Sequence, residues 1–310
     1  MAYADDEDTP LATAAAAAVY VRRGLKGTFA KPKQTRIITI ANQKGGVGKT
    51  TVAVNFAAGM ARRGRRVLLV DLDIQGSASA ILARADGIPA VDVARCLLEK
   101  LPLADSVVPT NYPGLDIAPA GERMAVVDLH LASALGRERV LERALRDARL
   151  RHYDLIVLDT APYLGLLTLN AIVASDHVLV PVSCEYLPML GLKLFRETLE
   201  NVRDQVGTEC HLLGYVLTMV DRRERITEEV EGLLRKTFAD LVFPNGIRVN
   251  THHKASPSYR QTIFDYEGKG GKGREDFESL CDEVERRLAL AGRALPPRKD
   301  SFTPSRPQPS

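Results

Sequence analysis

Apolar residues along the chain fall first into short, nearly uninterrupted runs. They are Arg36-Ile37-Ile38-Thr39-Ile40, Val67-Leu68-Leu69-Val70, Leu155-Ile156-Val157-Leu158, Val178-Leu179-Val180 and Tyr215-Val216-Leu217-Thr218. Runs this uniformly apolar predict strands covered on both faces, as in a parallel sheet. Between them the spacing becomes helical. Ile226, Val230, Leu233, Leu234 and Phe238 recur at intervals of four, three, one and four. Phe277, Leu280, Cys281, Val284 and Leu288 recur at three, one, three and four. That periodicity predicts helices with one apolar stripe. Strands alternating with helices predict an α/β fold: a doubly wound, mostly parallel sheet with helices on both faces. No internal repeat and no clear second domain is visible.

Two end segments depart from this pattern. Residues 1–34 read as a flexible extension, acidic at Asp5–Asp8, alanine-rich from Ala12 to Val19, and basic at Arg22, Arg23, Lys26, Lys31 and Lys33. Residues 293–310 are rich in proline and poor in apolar residues, which predicts a disordered tail. The folded unit is therefore expected over residues 35–292. No apolar run approaches the roughly 18 to 20 residues needed to cross a bilayer, and the alanine run lacks the preceding positive charge of a signal peptide. A cytoplasmic protein is expected. Net charge is only +3, so any nucleic-acid surface has to be a local patch. Cys96, Cys184, Cys210 and Cys281 are scattered without a C-x-x-C pair. They read as small apolar residues; a cluster shared between subunits is the alternative.

The strongest chemical signal follows the first strand. Gly45-Gly46-Val47-Gly48-Lys49-Thr50-Thr51 leads into a helical run from Val52 to Arg63. Strand, glycine loop and helix form the context of a phosphate loop of the P-loop NTPase type. Glycines let backbone N–H groups turn toward phosphate oxygens. The helix N-terminus adds unpaired donors and partial positive charge. Lys49 is placed to reach the β- and γ-phosphates, and the Thr50 hydroxyl to ligate magnesium. Gln43 stands where the standard pattern has its first glycine, and a second lysine, Lys44, opens the loop.

With that lysine, Lys44-Gly45-Gly46-Val47-Gly48-Lys49-Thr50 resembles the deviant Walker A loop of the ParA/MinD family. The resemblance extends over about residues 36 to 290 and is denser up to Glu185. It implies that Lys44 reaches across an ATP-sandwich homodimer to the phosphates of the other subunit. Asp71-Leu72-Asp73-Ile74-Gln75-Gly76-Ser77 resembles the family's D-x-D-P-Q-G segment, with Ile74 in place of proline. This implies that Asp73 orients the attacking water and that Asp71 supports the loop and the metal shell. Leu155-Ile156-Val157-Leu158-Asp159 is a Walker B type strand end, whose Asp159 is expected to hold Mg2+ through a water. No guanine-reading Asn-Lys-x-Asp is present; its absence and the resemblance together make ATP the expected nucleotide.

Basic residues gather in the second half, among them Arg222, Arg223, Arg225, Arg235, Lys236, Arg248, Lys254 and Arg260. Lysine and arginine on one surface give salt-sensitive, sequence-tolerant DNA binding. In the family an arginine after a Thr-Met-x-Asp strand end contributes to such binding. Arg223 matches it here, and a second family arginine falls on His252, with Arg248 and Lys254 beside it and Arg222 next to Arg223. The resemblance implies an ATPase that binds nonspecific DNA as a homodimer, associates with the nucleoid, and acts in DNA segregation or cargo positioning. A ParB-like or cargo-adaptor partner would stimulate hydrolysis. Arg22-Arg23-Gly24-Leu25-Lys26-Gly27 looks like the short basic peptides with which ParB-type partners do this. The alternative is a MinD-like membrane-surface ATPase. The C-terminal prolines rule out a continuous amphipathic helix at that end, so no membrane partner is expected.

Overall fold

Strand β1, Arg36–Ile40, shows how the sheet divides the core. Its Ile37 packs into one apolar cluster, whereas Ile38 and Ile40 pack into the other. Side chains alternate across a strand, so a strand apolar at nearly every position needs cover on both faces. β2, Val67–Leu72, behaves likewise: Val67 and Leu69 face one cluster, and Leu68, Val70 and Leu72 the other. The computed structural model describes residues 35–84, 89–184 and 189–290. The terminal segments and Glu185 lie outside the described residues.

The remaining strands are β3 (Val108–Pro109), β4 (Leu115–Ala118), β5 (Leu155–Thr160), β6 (His177–Ser183) and β7 (His211–Thr218). Their order is β3-β4-β2-β5-β1-β6-β7. Every pairing is parallel except that of the edge strand β3 with β4. The predicted doubly wound sheet is therefore present. The sequence runs located β1, β2, β5, β6 and β7. They missed the short edge pair β3 and β4, whose few residues give no periodic signal.

Five helices of eight or more residues are described: α1 (Lys49–Arg62), α2 (Leu166–Ala174), α3 (Met189–Val202), α4 (Arg225–Phe238) and α5 (Lys272–Leu290). One cluster takes Phe56 and Met60 of α1 with Phe277, Leu280 and Cys281 of α5. The other takes Leu169 of α2, Phe195 of α3 and Leu234 of α4. Gly59 lets α1 and α5 approach closely: a Cβ there would lie 2.6 Å from Cys281 Sγ. The predicted apolar stripe of α4 is corrected in part. Val230, Leu234 and Phe238 are buried, but Ile226 and Leu233 are 40% and 38% exposed. All four cysteines are buried and free, as their scattered positions suggested.

Candidate nucleotide site

β1 sits between β5 and β6, so the loop after it emerges at the carboxyl edge near the middle of the sheet. Ligands of open α/β sheets bind at that edge. Gly46 and Gly48 have φ of +74° and +83°, a left-handed backbone that a Cβ would strain. Gly48 caps α1, which begins at Lys49. Gly45 and Gly46 are exposed, Lys44 and Thr50 are half-buried, and Val47 is buried as the loop's anchor.

Distant side chains hold this loop. The Thr218 hydroxyl, at the end of β7, donates to the Val47 carbonyl at 2.9 Å. The Asn42 amide donates to the Pro181 carbonyl at 2.7 Å, while its oxygen accepts the Lys44 N–H at 3.0 Å. Gln43 donates to the Gly191 carbonyl at 3.0 Å. The Lys49 ammonium is buried and donates to the Lys44 carbonyl at 2.9 Å. Burial lowers its pKa, and the negative charges of Asp159 and then Asp73 oppose that fall. Asp159 is the register partner of Ile40, the last residue of β1, and of Asp71, so the two acidic segments end beside the glycine turn.

The acids differ in what surrounds them. Asp71 and Asp159 are register partners on β2 and β5, and both are fully buried. Asp71 accepts the Ser79 N–H at 2.8 Å, the Ser79 hydroxyl at 2.6 Å and the Asp73 N–H at 3.1 Å. Burial still holds its pKa above the usual carboxylate range. These bonds place Asp71 as a support of the Asp73 turn, with its oxygens largely occupied. Asp73 in turn accepts the Gln75 N–H at 3.0 Å and is 8% exposed. Ile74, in the position of the family proline, points partly to solvent and leaves these bonds intact.

Neither carboxylate oxygen of Asp159 has a hydrogen-bond partner of ordinary geometry. Its pKa is pushed well above normal, first by burial and then by the charge of Asp71; the Thr50 hydroxyl and Lys49 act in the opposite direction. A buried carboxyl without donors, beside a threonine hydroxyl, suits a hard cation that seeks oxygen. Among the described residues no group of three or more His, Cys, Asp or Glu could hold a metal by itself. A cation here therefore has to draw the rest of its shell from phosphate and water, as magnesium does in phosphate-loop sites.

A cleft of about 160 Å3 opens beside the loop. Gly48, Thr51 and Val52 form one wall, and Thr218, Met219, Ile247, Arg248, Val249, Asn250, His253 and Lys254 line the rest. Met219 has φ of +54°, rare for a residue with a side chain. Sequence reasoning missed this cleft, as well as Asn42 and Ser79, because their roles depend on long-range contacts.

The segments that carry the predicted DNA-contacting residues meet at the bridge between Val220 and Arg248. Their charge is mostly paired. Arg222 bonds Glu231, and Arg223 bonds Asp221 at 2.5 Å. Arg248 bonds Asp276 at 2.7 Å and Glu275 at 3.1 Å, and His252 Nδ1 lies 2.8 Å from Glu267. Lys254 is exposed and makes no ion pair among the described residues.

The sequence matches the AAA domain family over residues 35–212. It is 39% identical over 253 residues to the sporulation initiation inhibitor protein Soj of Bacillus subtilis, covering 80% of this chain and 98% of that protein. It is 40% identical over 258 residues to the chromosome-partitioning ATPase Soj of Thermus thermophilus, covering 83% and 98%. Among solved structures, cobyrinic acid a,c-diamide synthase from Mycobacterium smegmatis, with a bound ATP analogue and magnesium, superimposes with a TM-score of 0.69 at 31% identity, covering 86% and 100%. The deviant glycine loop, the converging acids and these relatives agree: the chain belongs to the ParA/Soj family of partition ATPases.

Proposed function

We propose that this chain is a Mg2+-dependent ATP hydrolase whose ATP-bound form is a sandwich homodimer that binds nonspecific DNA and serves DNA segregation or cargo positioning. The observation that carries this reading is that Asp159 is the register partner of both Ile40, at the end of β1, and Asp71, whose carboxylate accepts the Asp73 N–H, so both acidic segments end beside the glycine turn. Backbone N–H groups from Gly45 to Thr51 cradle the phosphates, with the N-terminus of α1 beneath them. Lys49 exchanges its bond to the Lys44 carbonyl for the β- and γ-phosphates. Asp159 and the Thr50 hydroxyl hold the magnesium shell, and Asp71 steadies the turn that carries Asp73. Magnesium, when bound, offsets charge on the β- and γ-phosphate oxygens. Asp73 accepts a hydrogen bond from the attacking water and holds it in line. The cleft at Met219 and Ile247 takes the base.

Lys44 is the cation offered to the second subunit, where it offsets charge on the leaving group. Nucleotide state then governs dimerisation, and dimerisation governs affinity for DNA through Arg222, Arg223, Arg248, His252 and Lys254. A ParB-like or cargo-adaptor partner accelerates hydrolysis and resets the cycle in a cytoplasmic, nucleoid-associated protein. Among the described residues no helix is long and apolar enough to cross a membrane. The test is size-exclusion chromatography with Mg-ATP. The unmodified chain elutes as a dimer and Lys44→Ala as a monomer that still binds nucleotide. A Lys44→Ala variant that dimerises normally contradicts the assignment.

A further inference from the structure

A strip of three rings, each touching the next, lies in the segment before α5, and partition chemistry does not account for it. Tyr259 is 66% exposed. Its ring lies 5.5 Å from that of Tyr266, which lies 5.4 Å from that of His252. Buried Glu267 fixes the strip, accepting from Asn250 at 2.5 Å and from the Arg274 N–H at 2.9 Å, with His252 Nδ1 at 2.8 Å. Burial pushes the Glu267 carboxyl up, yet these bonds outweigh it and hold the group below its ordinary value, as a carboxylate.

Exposed cations lie on the same segments of chain as the rings. Lys254, Arg260, Lys269 and Lys272 are exposed, and the three lysines make no ion pair among the described residues. Arg260 donates to the Ala80 carbonyl, in the helix Ser77–Leu82 that follows the Asp73 turn. At the other end the Arg248 guanidinium donates to the Lys272 carbonyl. Two exposed carboxylates lie here as well: Asp265 accepts the Thr262 hydroxyl at 2.8 Å, and Glu275 pairs with Arg248 at 3.1 Å. Aromatic faces between unpaired lysines are the chemistry that grips single strands: the cations follow the backbone while bases stack on the rings. Duplex DNA, whose bases are already stacked, uses only the cations.

We infer that the strip of Tyr259, Tyr266 and His252, with Lys254, Lys269 and Lys272, is a stacking platform for unpaired bases, so that this chain binds single-stranded nucleic acid as well as duplex. This rests on the nucleic-acid part of the proposed function and adds to it a preference for strand state. The test is fluorescence anisotropy of the full chain with Mg-ATP, using labelled oligo(dT), labelled oligo(U) and a labelled duplex. Tyr259→Ala weakens binding to the single strands about tenfold and to the duplex less than about twofold, while Tyr259→Phe behaves as the unmodified chain. Comparison of oligo(dT) with oligo(U) distinguishes DNA from RNA as the source of the strand. Equal losses on single strand and duplex, or no loss on either, overturn the inference. Duplex binding without single-strand binding overturns the inference alone; no binding of any probe removes the DNA reading as well.

Discussion

Asp71 and Asp159 stand opposite each other as register partners on neighbouring parallel strands, yet one carboxylate accepts three hydrogen bonds and the other none. Two like charges this close and this dry raise each other's pKa. Ser79 and the Asp73 backbone relieve the strain at Asp71. At Asp159 relief comes from a proton or a bound cation. The pair thus divides the work between holding the loop and holding metal.

Replacing Asp159 tests that division. Its unfolded carboxyl titrates near 3.8, and its folded value lies well above this. As pH falls, the folded chain therefore takes up the proton first. The stability from protonation is fully present below about 3.8 and is lost as pH rises through the folded value. Without nucleotide, mild acidification from neutrality should stabilise the protein through this group. Asp159→Asn should raise stability at pH 7 and remove that pH slope while abolishing Mg-dependent turnover. Thermal melts across pH check this; a destabilised Asp159→Asn contradicts the account.

Ser79 has the opposite effect. Ser79→Ala deletes the hydroxyl bonded to Asp71 and to the Ala120 N–H. A cost of about 1–3 kcal/mol is expected, with a fall in kcat at nearly unchanged ATP affinity, because the Asp73 turn loses its support. An unaltered kcat would show that the turn does not depend on Asp71.

Thr218→Val removes the donor to the buried Val47 carbonyl but keeps the shape. Stability should fall by about 1–2 kcal/mol, and nucleotide Kd, read by calorimetry, should rise several-fold because the loop is less organised. Unchanged nucleotide affinity would mean that β7 does not position the phosphate loop.

Of the five predicted DNA contacts, Lys254 is exposed and makes no ion pair among the described residues. Lys254→Gln should weaken duplex binding and reduce the salt slope by about 1. Arg223→Gln should do less, since Asp221 already offsets its charge. The reverse ranking in salt titrations would mean that the ion pairs rearrange on DNA.

What the sequence revealed follows from how local each feature is. The phosphate loop was legible because its glycines and lysines lie side by side. Asp73 and Asp159 were legible because each ends an apolar strand. The loop's anchors were not, since Thr218 and Val47 are 171 residues apart and either could serve anywhere. The basic residues could be counted but not their partners: Arg248 meets Asp276 across 28 residues of sequence. Ile226 looked like core because helical spacing alone cannot say which edge of a stripe reaches solvent.

Isothermal titration with Mg-ATP, paired with single-turnover hydrolysis, tests the central claim most directly. The unmodified chain should bind and hydrolyse. Asp73→Ala should bind with similar affinity but stall in turnover, and Lys49→Ala should lose most binding heat. Full turnover by Asp73→Ala, or unimpaired binding by Lys49→Ala, would show that these side chains do not converge on one triphosphate.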